Sequence, residues 1–103
     1  MNIQPIQQLC KERKIRWSLH SSEKMMERGI SRSDVLNCIE HGEIIKDYPN
    51  DTPNPSYLIF GQDMQDNIIH TVVGYTEEML FIITAYYPST SIFESDLKTR
   101  KKR

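Results

Sequence analysis

Two runs rich in β-branched and aromatic residues, Ile68–Tyr75 and Met79–Tyr87, are separated only by Thr76-Glu77-Glu78. A link that tight makes the two runs an antiparallel hairpin, and the rest of the chain has to be arranged around it. Upstream, Tyr57–Phe60 reads as a further strand, joined to the hairpin by the polar loop Gln62–Asn67. Glu43–Tyr48 is a short strand centred on Ile44 and Ile45. Between the last two, Pro49, Pro53 and Pro55 forbid a central ladder, so Pro49–Ser56 is a loop.

The first half has helical spacing instead. Pro5 opens a first helix running to about Lys14, with Ile6, Leu9 and Cys10 on one side. Trp17 and Leu19 lead into a second, from about Ser21 to Arg28, closed by Gly29. Ser31 and Asp34 form a capping pattern for a third, Arg32 to about His41, and Gly42 stands where a left-handed cap is expected. Ser91-x-x-Glu94 predicts a short last helix. The expected fold is α+β, with N-terminal helices packed on an antiparallel sheet of about four strands.

The chain has 103 residues, the size of one domain; residues 1–97 are read as that domain and 98–103 as a basic, disordered tail. Hydrophobic residues at 38% and charged residues at 26% exclude an intrinsically disordered chain. The longest nearly uncharged apolar stretch, Met79–Tyr87, is far too short to cross a bilayer as a helix, and Met1–Gln8 lacks the blocks of a signal peptide. Cys10 and Cys38 fit no metal or redox spacing, and the three His are too scattered to indicate a metal. No phosphate-cradling glycine loop, GxSxG elbow or HExxH pair is present. The expectation is a reduced, cytoplasmic protein with no cofactor.

The net charge of −1 conceals a steep partition. Residues 1–32 carry seven Lys/Arg against three Glu, residues 33–97 one Lys against eleven acids, and residues 98–103 five cations. Polyanions respond to local potential, so the basic ends point to a nucleic-acid surface as readily as to a solvated one. Within this pattern His20, Lys24 and Arg28 recur at i, i+4, i+8 along one side of the second helix. Like charges so aligned weaken a helix slightly, and an anionic ligand would justify them; an ordinary solvated helix face is the plainer alternative. On the hairpin, pairing Tyr75 with Met79 sets His70 opposite Thr84, on a face shared with Tyr86, Leu80 and Ile82. Of Tyr48, Tyr57, Tyr75, Tyr86 and Tyr87, most read as core or rim residues with a wet hydroxyl, and one or two beside a basic groove would stack on unpaired bases.

The run from His20 to Ser31 containing Glu27-Arg28-Gly29-Ile30, then Gly42-Glu43-Ile44-Ile45, Tyr48-Pro49 and Pro55-Ser56-Tyr57-Leu58 form part of a wider pattern. Ile69–Val73 and Ile82–Pro88 complete it. Together they resemble a family of short prokaryotic proteins catalogued as a domain of unknown function. That family is similar to RelE/BrnT-type ribonuclease toxins and is often found beside zinc-finger antitoxins of the MqsA/YgiT type. Lys24 stands where the family usually has Arg, and Phe93 where it usually has Trp.

The resemblance implies a type II toxin that cleaves RNA without metal by attack of the 2′-OH. His20 and His70 would be the acid–base pair and Arg28 the phosphate stabiliser, with Lys24, Thr84, Tyr86 and Tyr57 binding substrate. A cognate antitoxin is the implied partner, with that zinc-finger type as its candidate. The alternatives are a non-catalytic RNA- or ribosome-binding module and a protein-interaction domain. The catalytic reading requires His20, Arg28, His70, Thr84 and Tyr86 to converge on one concave surface.

Overall fold

The computed structural model describes residues 1–102. It contains α1 (Gln4–Lys11), β1 (Ile15–Trp17), α2 (Leu19–Arg28), α3 (Arg32–His41), β2 (Glu43–Tyr48), β3 (Ser56–Gln62), β4 (Ile68–Tyr75) and β5 (Leu80–Tyr86). The helices begin and end where side chains satisfy their free backbone groups. Pro5 lies in the first turn of α1. The Ser18 side chain accepts from Ser21 N–H at the start of α2, and Gly29 closes that helix at φ 71°. Ser31 and Asp34 form a reciprocal capping box on α3. No helix is long and apolar enough to cross a membrane.

The fold is α+β as expected, but the sheet has five strands in the order β1-β5-β4-β3-β2 and is mixed. The added strand comes from residues read as the linker between the first two helices. Arg13 adopts φ 58°, which stops α1 at Lys11, and Lys14 N–H returns to Leu9 O. Residues 15–17 are then free to run parallel to β5, with Ile15 beside Leu80 and Trp17 beside Ile82. The remaining pairs are antiparallel.

All three helices cover one face of this sheet. Ile6, Leu9, Met25, Val35, Cys38 and Ile39 from the helices meet Ile59, Ile69, Val73, Leu80, Ile82 and Ala85 from the strands in one buried cluster. We call this the helical face and the other the outer face. The expected last helix does not form. Instead residues 88–102 fold back over the outer face: Phe93 is buried there and pairs with Arg100 across a short bridge. The tail read as disordered therefore holds ordered contacts through Lys98 and Arg100; Arg103 lies outside the described residues.

The hairpin register differs from the expected one in two steps. Tyr75 faces Leu80 rather than Met79, which turns Leu80 and Ile82 to the helical face, where they are buried. A register shift between Val72 and Val73 then leaves Ile83 unpaired, so that Val72 faces Thr84 and His70 faces Tyr86. The first step reverses every side chain and the second restores the alternation. His70, Thr84 and Tyr86 thus share the outer face as expected, while Leu80 and Ile82 do not.

Gly42 is not a left-handed cap but extended, at φ −98°. Its requirement is space, since an added Cβ would collide with the carbonyl oxygens of Cys38 and Phe60. Gly61 on β3 is constrained in the same way, its missing Cβ lying 2.6 Å from Cys38 O and 2.8 Å from Cys38 Sγ. These two glycines let α3 sit directly on the sheet. Gly61→Ala should lower stability by about 1–3 kcal/mol through overpacking. A urea midpoint equal to that of the parent chain would show that α3 is free to withdraw.

Candidate nucleic-acid interface

His70 sits at the centre of β4 with its side chain 0% exposed. Three aromatic rings pack around it: Phe93 at 4.8 Å, Tyr86 at 5.3 Å and Phe60 at 5.9 Å between centroids. A buried imidazole is costly unless both nitrogens are satisfied, and here both are. Nε2 lies 2.6 Å from the carbonyl oxygen of Leu97, which can only accept, so Nε2 carries the proton. Nδ1 lies 3.2 Å from the Tyr86 hydroxyl and, in that tautomer, accepts from it. Burial pushes the His70 pKa down, and the Leu97 hydrogen bond partly opposes this. Above the ordinary His value the ring is neutral, in one tautomer, with Tyr86 as its link to the surface.

Arg28 reaches the same neighbourhood from the other side. β1 pairs with β5 only as far as Trp17 beside Ile82, so the last residues of β5 have an open edge. From the final turn of α2, Arg28 crosses that edge and donates to Ala85 O at 2.8 Å and Thr84 Oγ1 at 3.0 Å. Its charge acts on Tyr86: burial is the largest influence and raises the phenol pKa, Tyr48 adds to the rise, and Arg100 and Arg28 oppose it.

A cavity of about 240 Å³ opens beside Tyr86 on the outer face. Leu58 and Phe93, both buried, line it together with half-buried Tyr86. Tyr48, Lys46, Lys98 and Arg100 supply its polar rim. Lys98 is bonded to Glu43 at 2.5 Å and lies 4.7 Å above the Phe60 ring. Lys46 Nζ lies 5.6 Å from the Tyr48 ring centre. Among the described residues Arg28, Lys46 and Arg100 form no ion pair, and none of the described acids lines the cavity. In a chain of net negative charge, the rim of this cavity is locally cationic.

The expected convergence is therefore only partial. Arg28, Thr84, Tyr86 and His70 come together along the upper part of β4 and β5. His20 does not join them: it stands exposed at the start of α2, in the helical layer, while His70 points from the outer face. Successive i+4 steps drift around a helix of 3.6 residues per turn, so His20, Lys24 and Arg28 do not keep one heading. Lys24, on the same helix, is paired with Glu27 at 3.8 Å. Tyr57 faces Val73, packs against the helical-side core and meets Tyr75 edge-on at 6.4 Å, remote from the cavity. Sequence reasoning gave Lys46 no role. Tyr48 stood out only within the Tyr48-Pro49 motif, and Lys98 and Arg100 as part of a basic tail rather than as the wall of a cavity.

Residues 17–87 match a protein family described as Domain of unknown function (DUF4258). The match runs from Trp17, the last residue of β1, through β5 and so includes Arg28, His70, Thr84 and Tyr86. Comparisons with curated proteins and with solved structures give no match.

The neutral, buried ring of His70 sets a pH dependence. Because its folded pKa is depressed, the stability it lends is complete above the ordinary value of 6.5 and is lost as pH falls below it. His70→Gln, which keeps a donor and an acceptor, should flatten the fall in Tm on acidification through that range. Identical pH profiles for the two proteins would show that another group titrates there.

Proposed function

The chain belongs to the DUF4258 domain family, whose description carries no function, and from its outer face we propose that it is an RNA-directed domain and a metal-independent endoribonuclease. The observation that carries this reading is the Tyr86–His70 hydrogen bond, beside a cavity whose Lys46 and Arg100 form no ion pair among the described residues. RNA supplies its own nucleophile, the 2′-OH beside the scissile phosphate. The protein must remove that proton, stabilise the added negative charge on phosphorus and protonate the leaving 5′-oxygen.

Tyr86 Oη takes the 2′-OH proton while its own passes to His70 Nδ1. The imidazolium so formed keeps its Nε2 hydrogen bond to the Leu97 carbonyl, which offsets part of the cost of charging a buried ring. The new P–O2′ bond displaces the 5′-oxygen, leaving a cyclic phosphate, and Lys46 on the rim protonates the leaving oxygen. Arg28 and Arg100 stabilise the equatorial oxygens, Arg28 already having its guanidinium fixed by Thr84 and Ala85. His20 and Lys24 have no part in this chemistry; their positions suit distant phosphate contacts. The resemblance to RelE/BrnT-type proteins extends the reading to a cytoplasmic toxin held in check by a cognate antitoxin, of which a zinc-finger protein of the MqsA/YgiT type is the suggested candidate.

One observation favours a second reading. His70 has no exposed surface, so no substrate touches it, and its satisfied ring serves equally well to fix Tyr86 in a non-catalytic RNA- or ribosome-binding surface. Cleavage separates the two. The first reading expects RNA cleavage that persists in EDTA and falls about 10²-fold or more in Tyr86→Phe, the loss typical of an acid–base group. His20→Ala should cleave normally, and Arg28→Ala should weaken both binding and cleavage. Full activity in folded Tyr86→Phe removes the relay, and RNA bound without cleavage assigns the domain to the second reading.

A further inference from the structure

We propose that the outer-face cavity is a subsite for one unpaired nucleotide, which makes single-stranded rather than duplex RNA the ligand class. This rests on RNA being the ligand of that face. The cavity combines two surfaces that a simple phosphate site does not need together. One is cationic, made by Lys46 and Arg100 with Arg28 nearby, and among the described residues none of these is neutralised by an acid. The other is aromatic and apolar, made by Tyr48, Tyr86 and Phe93 over Leu58. An inorganic anion engages the first and leaves the second bare. A base with its own phosphate engages both.

Shape makes the same choice. In a duplex the base faces are stacked inside the helix, so only backbone and groove edges reach a protein. A recess of about 240 Å³ with aromatic walls is accessible to a base only when that base is swung out of a strand. Lys46 Nζ, 5.6 Å from the Tyr48 ring centre, places a cation beside that ring, so stacking and phosphate contact occur within one nucleotide. The absence of any described acid on the lining argues against a basic peptide or a divalent cation as occupant. The subsite is also lined by Tyr86, whose hydroxyl is bonded to His70, so the nucleotide it holds lies beside the residue proposed as the relay.

The test uses the whole chain and a short 2′-O-methyl oligoribonucleotide, which cannot be cleaved, read by fluorescence anisotropy as a single strand and as the annealed duplex. The single strand should bind about tenfold or more tightly than the duplex, the effect of one stacked base. Tyr48→Leu, with its Tm verified, should abolish that preference. Equal affinity for the two forms, or a preference that survives Tyr48→Leu, overturns the proposal while RNA binding by the face stands. A parallel titration uses adenosine and uridine 5′-monophosphates against inorganic phosphate, followed by the ring resonances of Tyr48 and Tyr86. Nucleotides bound more tightly than phosphate, with no oligonucleotide bound, would keep the subsite and end the RNA reading. Nucleotide and phosphate bound alike, or neither bound, ends the subsite.

Discussion

Between Val72 and Val73 the β4–β5 ladder drops one residue out of pairing, and the unopposed Ile83 decides which side chains meet on the outer face. Along the lower hairpin, Leu80 and Ile82 alternate toward the helices and complete the core. Without the bulge, the same alternation would carry Tyr86 to the helical face and Ala85 outward. With it, Ala85 fills the tight space beneath the helices, and Tyr86 lies opposite His70. The core and the cavity therefore depend on one interruption of a two-residue period.

His70 then recruits the C-terminal segment. A buried imidazole facing only apolar rings would be strongly unfavourable, and Leu97 O removes that penalty by accepting from Nε2. To present this carbonyl Leu97 adopts φ 58°, a conformation that costs a bulky residue on the order of 1–3 kcal/mol. Burial of Phe93 against the same ring returns a similar amount, about 1.5–3 kcal/mol. The segment stays down because one strained residue satisfies a buried donor, and in staying down it brings Lys98 and Arg100 to the cavity.

The charge partition acquires a spatial meaning from this arrangement. Arg28 comes from α2, Lys46 from an acidic stretch of sequence, and Lys98 and Arg100 from the terminal segment. Of the acids of residues 33–97, Asp34 caps α3, Asp63 organises the turn before Asn67 and accepts from Tyr87, and Glu43 binds Lys98 at the cavity edge. These carboxylates are occupied in turns and pairs, while Arg28, Lys46 and Arg100, from three distant segments, form no ion pair among the described residues. A net charge of −1 is thus compatible with an anion-binding face.

Local chemistry in the sequence determined what depends on near neighbours. The capping box at Ser31 and Asp34 fixed α3, Gly29 ended α2, and the β-branched runs around Thr76-Glu77-Glu78 fixed the central hairpin but not its register. Strict alternation grouped His70, Thr84 and Tyr86 together with Leu80 and Ile82; the first three share a face only because the Tyr75–Leu80 register and the bulge at Ile83 offset each other. What depended on long-range closure was not visible. Residues 15–17 become a strand only because β5 offers a free edge, Gly42 is required by the approach of Cys38 and Phe60, and the bulge at Ile83 is set by packing on both faces at once. His20 and Arg28 share a helix and a sequence spacing, yet only Arg28 lies where the open end of β5 lets a side chain pass to the outer face. Spacing along a chain specifies a side of one helix; which side of a sheet that helix covers is decided by the burial of the whole core.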